Sequence, residues 1–206
     1  MDSPLNTRSV DELLRVRATS HPDAAVIGYP AGPSSGEYRY YSLSQLNRFA
    51  YRVACTLEQS IRNTTSGEPR RSVGLLGPAS LDHVVHLLAL IKLGHTAVIM
   101  SPRLSDDAYA HLMDATGCVD VLVHPSFVER MTRVGEIANK AVNVVRLLTM
   151  DEYDLAEDHD GPQSVLNKAW KEAGEERDQP VWVLHSSGST GLPKPIYKTV
   201  SRPNTT

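Results

Sequence analysis

Strand-like and helix-like segments alternate through the middle of the sequence, between residues 72 and 150. Short runs rich in Val, Leu and Ile are separated by longer stretches in which apolar residues recur at helical spacing. The predicted strands are 72–76, 97–100, 119–123 and 141–148, and the predicted helices are 81–93, with Ser80 as its N-cap, 106–115 and 127–137. Strands that alternate with helices of about 10–15 residues are typical of a parallel sheet with crossover helices on its faces. We therefore predict an α/β fold with a mostly parallel sheet.

The region before this alternation, residues 9–71, is predicted to be a lead-in of helices and a hairpin. Ser9 and Glu12 have the spacing of a capping box at the start of a helix. Two strand-like runs flank a turn rich in Gly, Pro and Ser, which is a hairpin pattern. Ser42 is the predicted N-cap of a second, amphipathic helix. The predicted elements are a helix at 10–19, strands at 25–29 and 37–41, and a helix from 43 to about 59.

The composition is that of a soluble globular protein. Of the 206 residues, 41% are apolar and 22% are charged, which argues against a disordered chain. A net charge of −3 and the lack of a Lys/Arg-rich block give no reason to expect nucleic acid as a partner. No apolar run approaches the roughly 20 residues of a membrane span and no secretory segment is visible, so we expect a cytoplasmic protein without a membrane partner. Cys55 and Cys118 stand far apart, and we expect both to be small buried apolar side chains.

A stretch near the end of the sequence combines a buried strand with a polar loop that contains glycine. The run from Val181 to Leu184 is apolar and β-branched, as in a buried strand. The residues after it are rich in Ser, Thr and Gly, whose hydroxyl and backbone N–H groups suit a polyanion. Gly188 and Gly191 allow the backbone to approach a ligand closely, and Lys194 adds a positive charge. The loop is therefore predicted to wrap phosphates.

The alternative interpretation of the same residues is a Ser/Gly-rich linker, which is the commonest meaning of such a composition. The loop lacks the Walker spacing, because only two residues separate its glycines and the lysine comes after Leu192 and Pro193. Two features favour phosphate binding over a linker. The loop follows a strand directly, and Pro193 and Pro195 fix two φ angles at its exit.

The residues from Ser186 to Lys194, with the sequence SSGSTGLPK, closely resemble the phosphate-binding signature of the adenylate-forming superfamily. That superfamily includes acyl-CoA synthetases, luciferases and the adenylation domains of non-ribosomal peptide synthetases. The preceding His185 and the following Pro195 and Ile196 are most similar to adenylation domains of fungal synthetase-like carboxylate reductases.

A second stretch, from Leu88 to Val98, resembles the second core motif of the superfamily, and residues 101–105 resemble its version in the fungal reductases. Any helix–glycine–strand unit of an α/β domain would fit these residues equally well. The order of the stretch, ahead of the phosphate loop, supports the family interpretation. The resemblance covers nearly the whole chain, from about Val10 to Lys198.

The resemblance implies the first part of the large N-terminal domain of the adenylate-forming fold. In this family a carboxylate attacks the α-phosphate of ATP, giving acyl-AMP and pyrophosphate, with Mg²⁺ present. The implied function is activation of a carboxylic acid in secondary metabolism, with ATP and the acid as partners. Lys194 would be catalytic, because it would supply charge to the leaving pyrophosphate. The residues implied to bind ATP are Ser186, Ser187, Gly188, Ser189, Thr190, Gly191 and Lys194.

Three histidines are further candidates for functional residues. His83 and His86 lie three apart on a predicted helix, which suggests one metal ion between them. A histidine pair without a third ligand is far more often a surface or packing feature, so we predict no metal site. His185 directly precedes the phosphate loop and has two interpretations of equal weight: it lines the acyl site, or it fills the end of a strand.

The predicted organisation ends with an acidic surface excursion at 151–180 and the strand with its phosphate-binding loop at 181–198. Family catalysis also needs an acidic residue for Mg²⁺, an aspartate for the ribose and a lysine in a small C-terminal domain. The sequence up to Thr206 contains none of these motifs, so we expect residues 1–206 to be a truncated AMP-binding domain. Two hypotheses stay open: an enzyme that works with a separately encoded remainder, and a catalytically inactive remnant or interaction module. A stand-alone phosphate-binding protein is the weakest alternative.

Overall fold

A computed structural model describes residues 9–32, 36–61, 70–155, 179–187 and 192–200, with the side chain of Ser187 excepted. These residues form a six-stranded sheet with helices on both faces and a separate two-stranded hairpin. The helices are α1 Val10–Ser20, α2 Leu43–Leu57, α3 Leu81–Lys92, α4 Asp106–Thr116, α5 Val128–Ile137 and α6 Met150–Tyr153. The strands are β1 Ala25–Pro30, β2 Tyr38–Ser42, β3 Ser72–Leu76, β4 Thr96–Met100, β5 Asp120–Val123, β6 Asn143–Arg146, β7 Pro180–Ser187 and β8 Pro193–Thr199.

The large sheet is mostly parallel, which confirms the predicted α/β fold. Its strand order is β6-β5-β3-β4-β7-β8, and the pairing of β7 with β8 is antiparallel. β3 lies in the centre, between β4 and β5, and pairs with both in parallel. Parallel neighbours require long crossover connections, and α3, α4 and α5 supply them.

Two apolar cores lie on opposite faces of the sheet. β3 shows the division, since Val73 and Leu75 belong to the core under α2 and α3, whereas Leu76 belongs to the core under α4 and α5. On β7, Trp182 packs against the first core and Val183 lies in the second. This alternation fixes the face of each side chain further along β7.

Serine N-caps start four of the helices, as the sequence predicts for three of them. The side chain of Ser9 accepts a hydrogen bond from the Glu12 N–H, and Ser42 forms a complete capping box with Gln45. Ser80 and Ser105 cap α3 and α4 in the same way. No helix within the described ranges is both long enough and apolar enough to cross a bilayer.

The predicted hairpin is present, with β1 and β2 in antiparallel pairing. Tyr41 of β2 is buried and lies edge-on to Phe49 of α2, with ring centroids 6.3 Å apart. Ile27 and Tyr29 of β1 also pack against the core on the α2 side. The hairpin therefore covers part of that core instead of extending the large sheet.

The largest differences from the predicted elements concern β7, β6 and α6. β7 continues through Ser187, because pairing with β8 extends the ladder beyond the apolar run that the sequence shows. β6 is shorter than predicted and ends at Arg146, since the backbone N–H of Leu148 turns towards α3 and bonds to His86. α6 lies where a surface excursion was predicted, and its Tyr153 is buried in the core. Residues 156–178 of that excursion lie outside the described ranges.

The two cysteines differ in burial. Cys118 is buried, as predicted, and its thiol donates to the backbone carbonyl of Asp120. Burial raises the pKa of this thiol to about 12, so it stays protonated at neutral pH. Cys55 is only partly buried, so the expectation of a fully buried side chain is wrong there.

A buried charged cluster joins the first three helices. The Lys92 ammonium of α3 lies 2.6 Å from an Asp11 carboxylate oxygen and 2.7 Å from the Asn47 side-chain oxygen. Asp11 also accepts from the Arg15 guanidinium at 3.2 Å. Burial lowers the pKa of Lys92, and the Asp11 carboxylate opposes that shift. The cluster therefore holds a cation in the interior that depends on its carboxylate partner.

Replacing Asp11 by alanine is expected to destabilise the fold by roughly 3 kcal/mol, because the Lys92 cation stays buried without its counter-charge. Urea unfolding followed by circular dichroism measures this change. Asp23→Ala is the matched control, since Asp23 is exposed, and it should change the free energy of unfolding by less than about 0.5 kcal/mol. Equal effects of the two substitutions would contradict the stabilising role of the cluster.

His86 attaches the segment after β6 to α3. Its Nδ1–H donates to the Asp82 carbonyl at 2.7 Å, and its Nε2 accepts from the Leu148 N–H at 2.9 Å. Both ring nitrogens are therefore occupied by backbone partners, and the ring is neutral. Burial lowers the pKa of His86 to about 4.

Stability is expected to fall as the pH drops from about 6.5 to about 4. In that window the unfolded chain binds a proton at His86 that the folded chain does not bind. The effect is roughly 3 kcal/mol for one such histidine, and His95, whose pKa burial also lowers to about 4, adds a second contribution. Urea unfolding at several pH values should show a smaller slope for His86→Gln than for the unsubstituted chain. An unchanged slope would contradict this assignment.

Candidate functional site

The two described ends of the predicted phosphate loop lie at the edge of the sheet where the parallel strands end. β7 runs parallel to β4, and the last pair in its antiparallel ladder with β8 is Ser187 with Pro193. Residues 188–192 therefore join the ends of two paired strands. Ligands of open α/β sheets usually bind beyond the carboxyl ends of the parallel strands. The loop begins at that edge.

Ser186 and Lys194 face each other across the β7–β8 ladder. Residues that pair directly in antiparallel strands share a face of the sheet, and here it is the α2–α3 face, on which Trp182 packs. Lys194 is exposed and Ser186 is partly buried. A cation beside a hydroxyl at the base of the loop offers two groups that suit a phosphate.

The remaining predicted phosphate ligands are less fully described. Gly188, Ser189, Thr190 and Gly191 lie outside the described residues, and only the backbone of Ser187 is described. Their roles stay predictions. The strands make the loop shorter than the motif. Ser186 belongs to β7 and Lys194 to β8, so the connection between the two strands is 188–192.

His185 lies on the opposite face of β7 from Ser186. It pairs with Pro195 of β8, and its Nε2 accepts a hydrogen bond from the Ser101 backbone N–H at 3.2 Å. The ring is half-buried, and burial lowers the pKa of His185, which favours the neutral ring that this acceptor role requires. The contact involves the backbone at the end of β4. A role in lining an acyl site stays a prediction.

The turn between β4 and α4 is held by side chains that the sequence did not single out. The Tyr109 hydroxyl donates to the Ser101 carbonyl at 2.9 Å, and the Arg130 guanidinium lies 5.0 Å from the centroid of the Tyr109 ring. Arg130 also donates to the Leu104 carbonyl at 2.6 Å and to Asp106 at 2.7 Å. Arg130 is far from this turn in sequence, so no local pattern could reveal the contact.

The second family motif has the structure that its resemblance implies. Residues 88–92 form the end of α3, and Gly94 follows with a φ of +80°, a left-handed conformation that favours glycine at the end of a helix. The chain then enters β4 at Thr96. This unit places Ser101, the first of residues 101–105, beside His185 at the edge of the sheet.

Metal ligation has little support in the described part of the chain, where no three His, Cys, Asp or Glu side chains cluster. His86 uses both ring nitrogens in hydrogen bonds, which is the packing role that the sequence favoured over metal binding. We therefore assign no Mg²⁺ ligand to these residues.

Known proteins match this chain over nearly its whole length. The profile of a family described as AMP-binding enzyme matches residues 14–202. A carboxylic acid reductase of Neurospora crassa is 30% identical over 94% of this chain and 18% of its own length. An isocyanide synthase–NRPS hybrid of Aspergillus fumigatus is 28% identical over 94% of this chain and 12% of its own length. The chain thus spans less than a fifth of these relatives.

A solved structure supports the same fold. The fatty acyl-adenylate ligase from L. pneumophila, in complex with acyl adenylate and pyrophosphate, matches 97% of this chain and 31% of its own with a TM-score of 0.68. Its sequence identity of 19% limits the comparison to the fold. The resemblance seen in residues 186–194 therefore extends to the architecture that carries them. The chain belongs to the AMP-binding enzyme family, whose members use ATP and act on carboxylic acids.

Proposed function

We propose that this chain provides the ATP-phosphate-binding part of an enzyme that activates a carboxylic acid as acyl-AMP. The observation that carries the proposal is the position of the SSGSTGLPK stretch. Its two ends pair in the β7–β8 ladder at the edge where the parallel strands finish. Family membership and the position of these two ends both support the proposal.

The proposed reaction is a displacement at phosphorus. A carboxylate oxygen of the acid bonds to the α-phosphorus of ATP, and the bond from that phosphorus to the oxygen bridging the β-phosphate breaks. The electron pair leaves with pyrophosphate, and the products are acyl-AMP and pyrophosphate. The protein's contribution to such a step is to position the phosphates and to neutralise the developing charge.

Lys194 and Ser186 are the described residues with proposed roles in this step. The Lys194 ammonium would neutralise charge on the leaving pyrophosphate, and the Ser186 hydroxyl would donate to a phosphate oxygen. Both groups lie on one face at the base of the loop. Ser187, Gly188, Ser189, Thr190 and Gly191 are proposed to complete the phosphate contacts. Mg²⁺ would accompany ATP, with ligands that we do not assign.

The two named relatives suggest the setting of the reaction. A carboxylic acid reductase and a hybrid that includes a non-ribosomal peptide synthetase both resemble this chain. We propose by analogy that the acid belongs to secondary metabolism. Because the chain spans less than a fifth of these relatives, we also propose that the complete reaction requires further protein segments.

Pyrophosphate release by the 206-residue chain tests this function directly. The assay supplies ATP, Mg²⁺ and a panel of aryl and alkyl carboxylic acids. Acid-dependent release would show that these residues are sufficient for activation. Binding of ATP without release is the result expected if further segments are required. Neither binding nor release would favour the inactive remnant or interaction module.

Lys194→Ala is expected to weaken ATP binding roughly tenfold, because it removes a charge-assisted contact to phosphate. Isothermal titration calorimetry with ATP and Mg²⁺ measures the affinity. Lys198→Ala is the matched control, since Lys198 is an exposed lysine on the same strand and the same face, paired with Trp182 farther from the loop. Equal affinity losses in the two variants would indicate a general charge effect and would contradict the assigned role of Lys194.

A further inference from the structure

The backbone pairing between β4 and β7 stops before either strand ends. Their parallel pairing includes Ala97 with Trp182 and Val98 with Val183, although β4 runs to Met100 and β7 to Ser187. Beyond this point β7 continues in its antiparallel ladder with β8 towards the predicted phosphate loop. The parallel ladder between β4 and β7 therefore stops before the carboxyl ends of the two strands.

The His185 ring links the two strands beyond the end of this ladder. Its Nε2 accepts from the Ser101 N–H at 3.2 Å, one residue beyond the end of β4. A side-chain hydrogen bond thus continues the connection between the strands where their backbone pairing has stopped. Only a neutral ring can accept this bond, and the lowered pKa of the half-buried ring is consistent with that state.

The other partner of this hydrogen bond is itself held in place. Tyr109, which is fully buried, donates to the Ser101 carbonyl at 2.9 Å. Arg130 packs over the Tyr109 ring and donates to the Leu104 carbonyl and to Asp106. The turn after β4 is therefore anchored to α4 and α5, and His185 attaches the β7–β8 ladder to that anchored turn.

We propose that His185 is a positioning residue that sets the direction of the β7–β8 ladder and thereby places Ser186 and Lys194, at the base of the predicted phosphate loop, at the edge of the sheet. This inference rests on the proposed function, because it concerns the same loop. His185 does not contact phosphate in this scheme. Its side chain lies on the α4 face, whereas Ser186 and Lys194 lie on the opposite face.

Two substitutions separate the hydrogen bond from the size of the ring. His185→Phe keeps a ring of similar volume but has no acceptor, and it should weaken binding of ATP with Mg²⁺ roughly threefold to tenfold. His185→Gln carries an amide oxygen of similar reach, and it should restore most of the affinity. His21→Phe, at an exposed histidine after α1, is the control and should leave the affinity unchanged.

Calorimetry gives the affinities, and hydrogen exchange of the Ser101 amide reports the bond itself. Faster exchange in the Phe variant and protection in the Gln variant, together with the affinity pattern above, supports the proposal. If the unsubstituted chain binds ATP and His185→Phe binds it equally well, the positioning role is overturned. Equal weakening by Phe and Gln also overturns it, since the acceptor would then not matter. If the unsubstituted chain binds no ATP, the proposed function fails and this inference fails with it.

Discussion

The parallel pairing of β3 with both of its neighbours is the constraint on which the rest of the structure depends. β3 is buried on both faces, and a Cβ at Gly74 would lie 2.9 Å from both Met100 Cε and Val121 Cγ1. Parallel strands cannot be joined by short turns, so helices must cross both faces and bury two separate cores. The same geometry brings the carboxyl ends of the parallel strands to one edge. The turn after β4 and the start of the phosphate loop meet there.

Buried polar contacts supplement the apolar cores at the places where helices meet. Lys92 ties α3 to Asp11 of α1 and Asn47 of α2. Tyr153 donates to Asp82 at 2.6 Å and so attaches α6 to α3. Each contact places a desolvated group in the interior, which is favourable only when its partner is correctly placed. Our hypothesis is that such pairs specify which helix faces meet, since apolar contacts alone tolerate sliding.

Local patterns were sufficient to predict most elements, and long-range contacts account for what they missed. Ser9, Ser42 and Ser80 cap helices as expected, because a cap depends on residues within one turn. The sequence could not show that β7 extends to Ser187, since that extension depends on pairing with β8. It also gave no sign that Tyr153 is buried, because the surrounding residues are acidic and its partner Asp82 lies 71 positions away. At the candidate site, the motif predicts Lys194, which stays a prediction, whereas the contacts of Tyr109 and Arg130 emerged only from the fold.

The alternation of side chains along β7 divides the base of the loop into two chemical surfaces. Ser186 and its partner Lys194 present a hydroxyl and a cation on one face. His185 and its partner Pro195 lie on the other face, where the ring contacts the turn after β4. Because the period of a strand is two, a residue that holds the ladder and a residue that meets a ligand can be adjacent in sequence without competing for space. The Nε2 atom of His185 accepts from the Ser101 backbone N–H and therefore cannot at the same time contact a phosphate. The two faces of β7 thus also separate a neutral contact from a charged one. We infer that a substitution on one face of β7 affects the groups on the other face by changing the direction of the β7–β8 ladder, and not through direct contact between side chains.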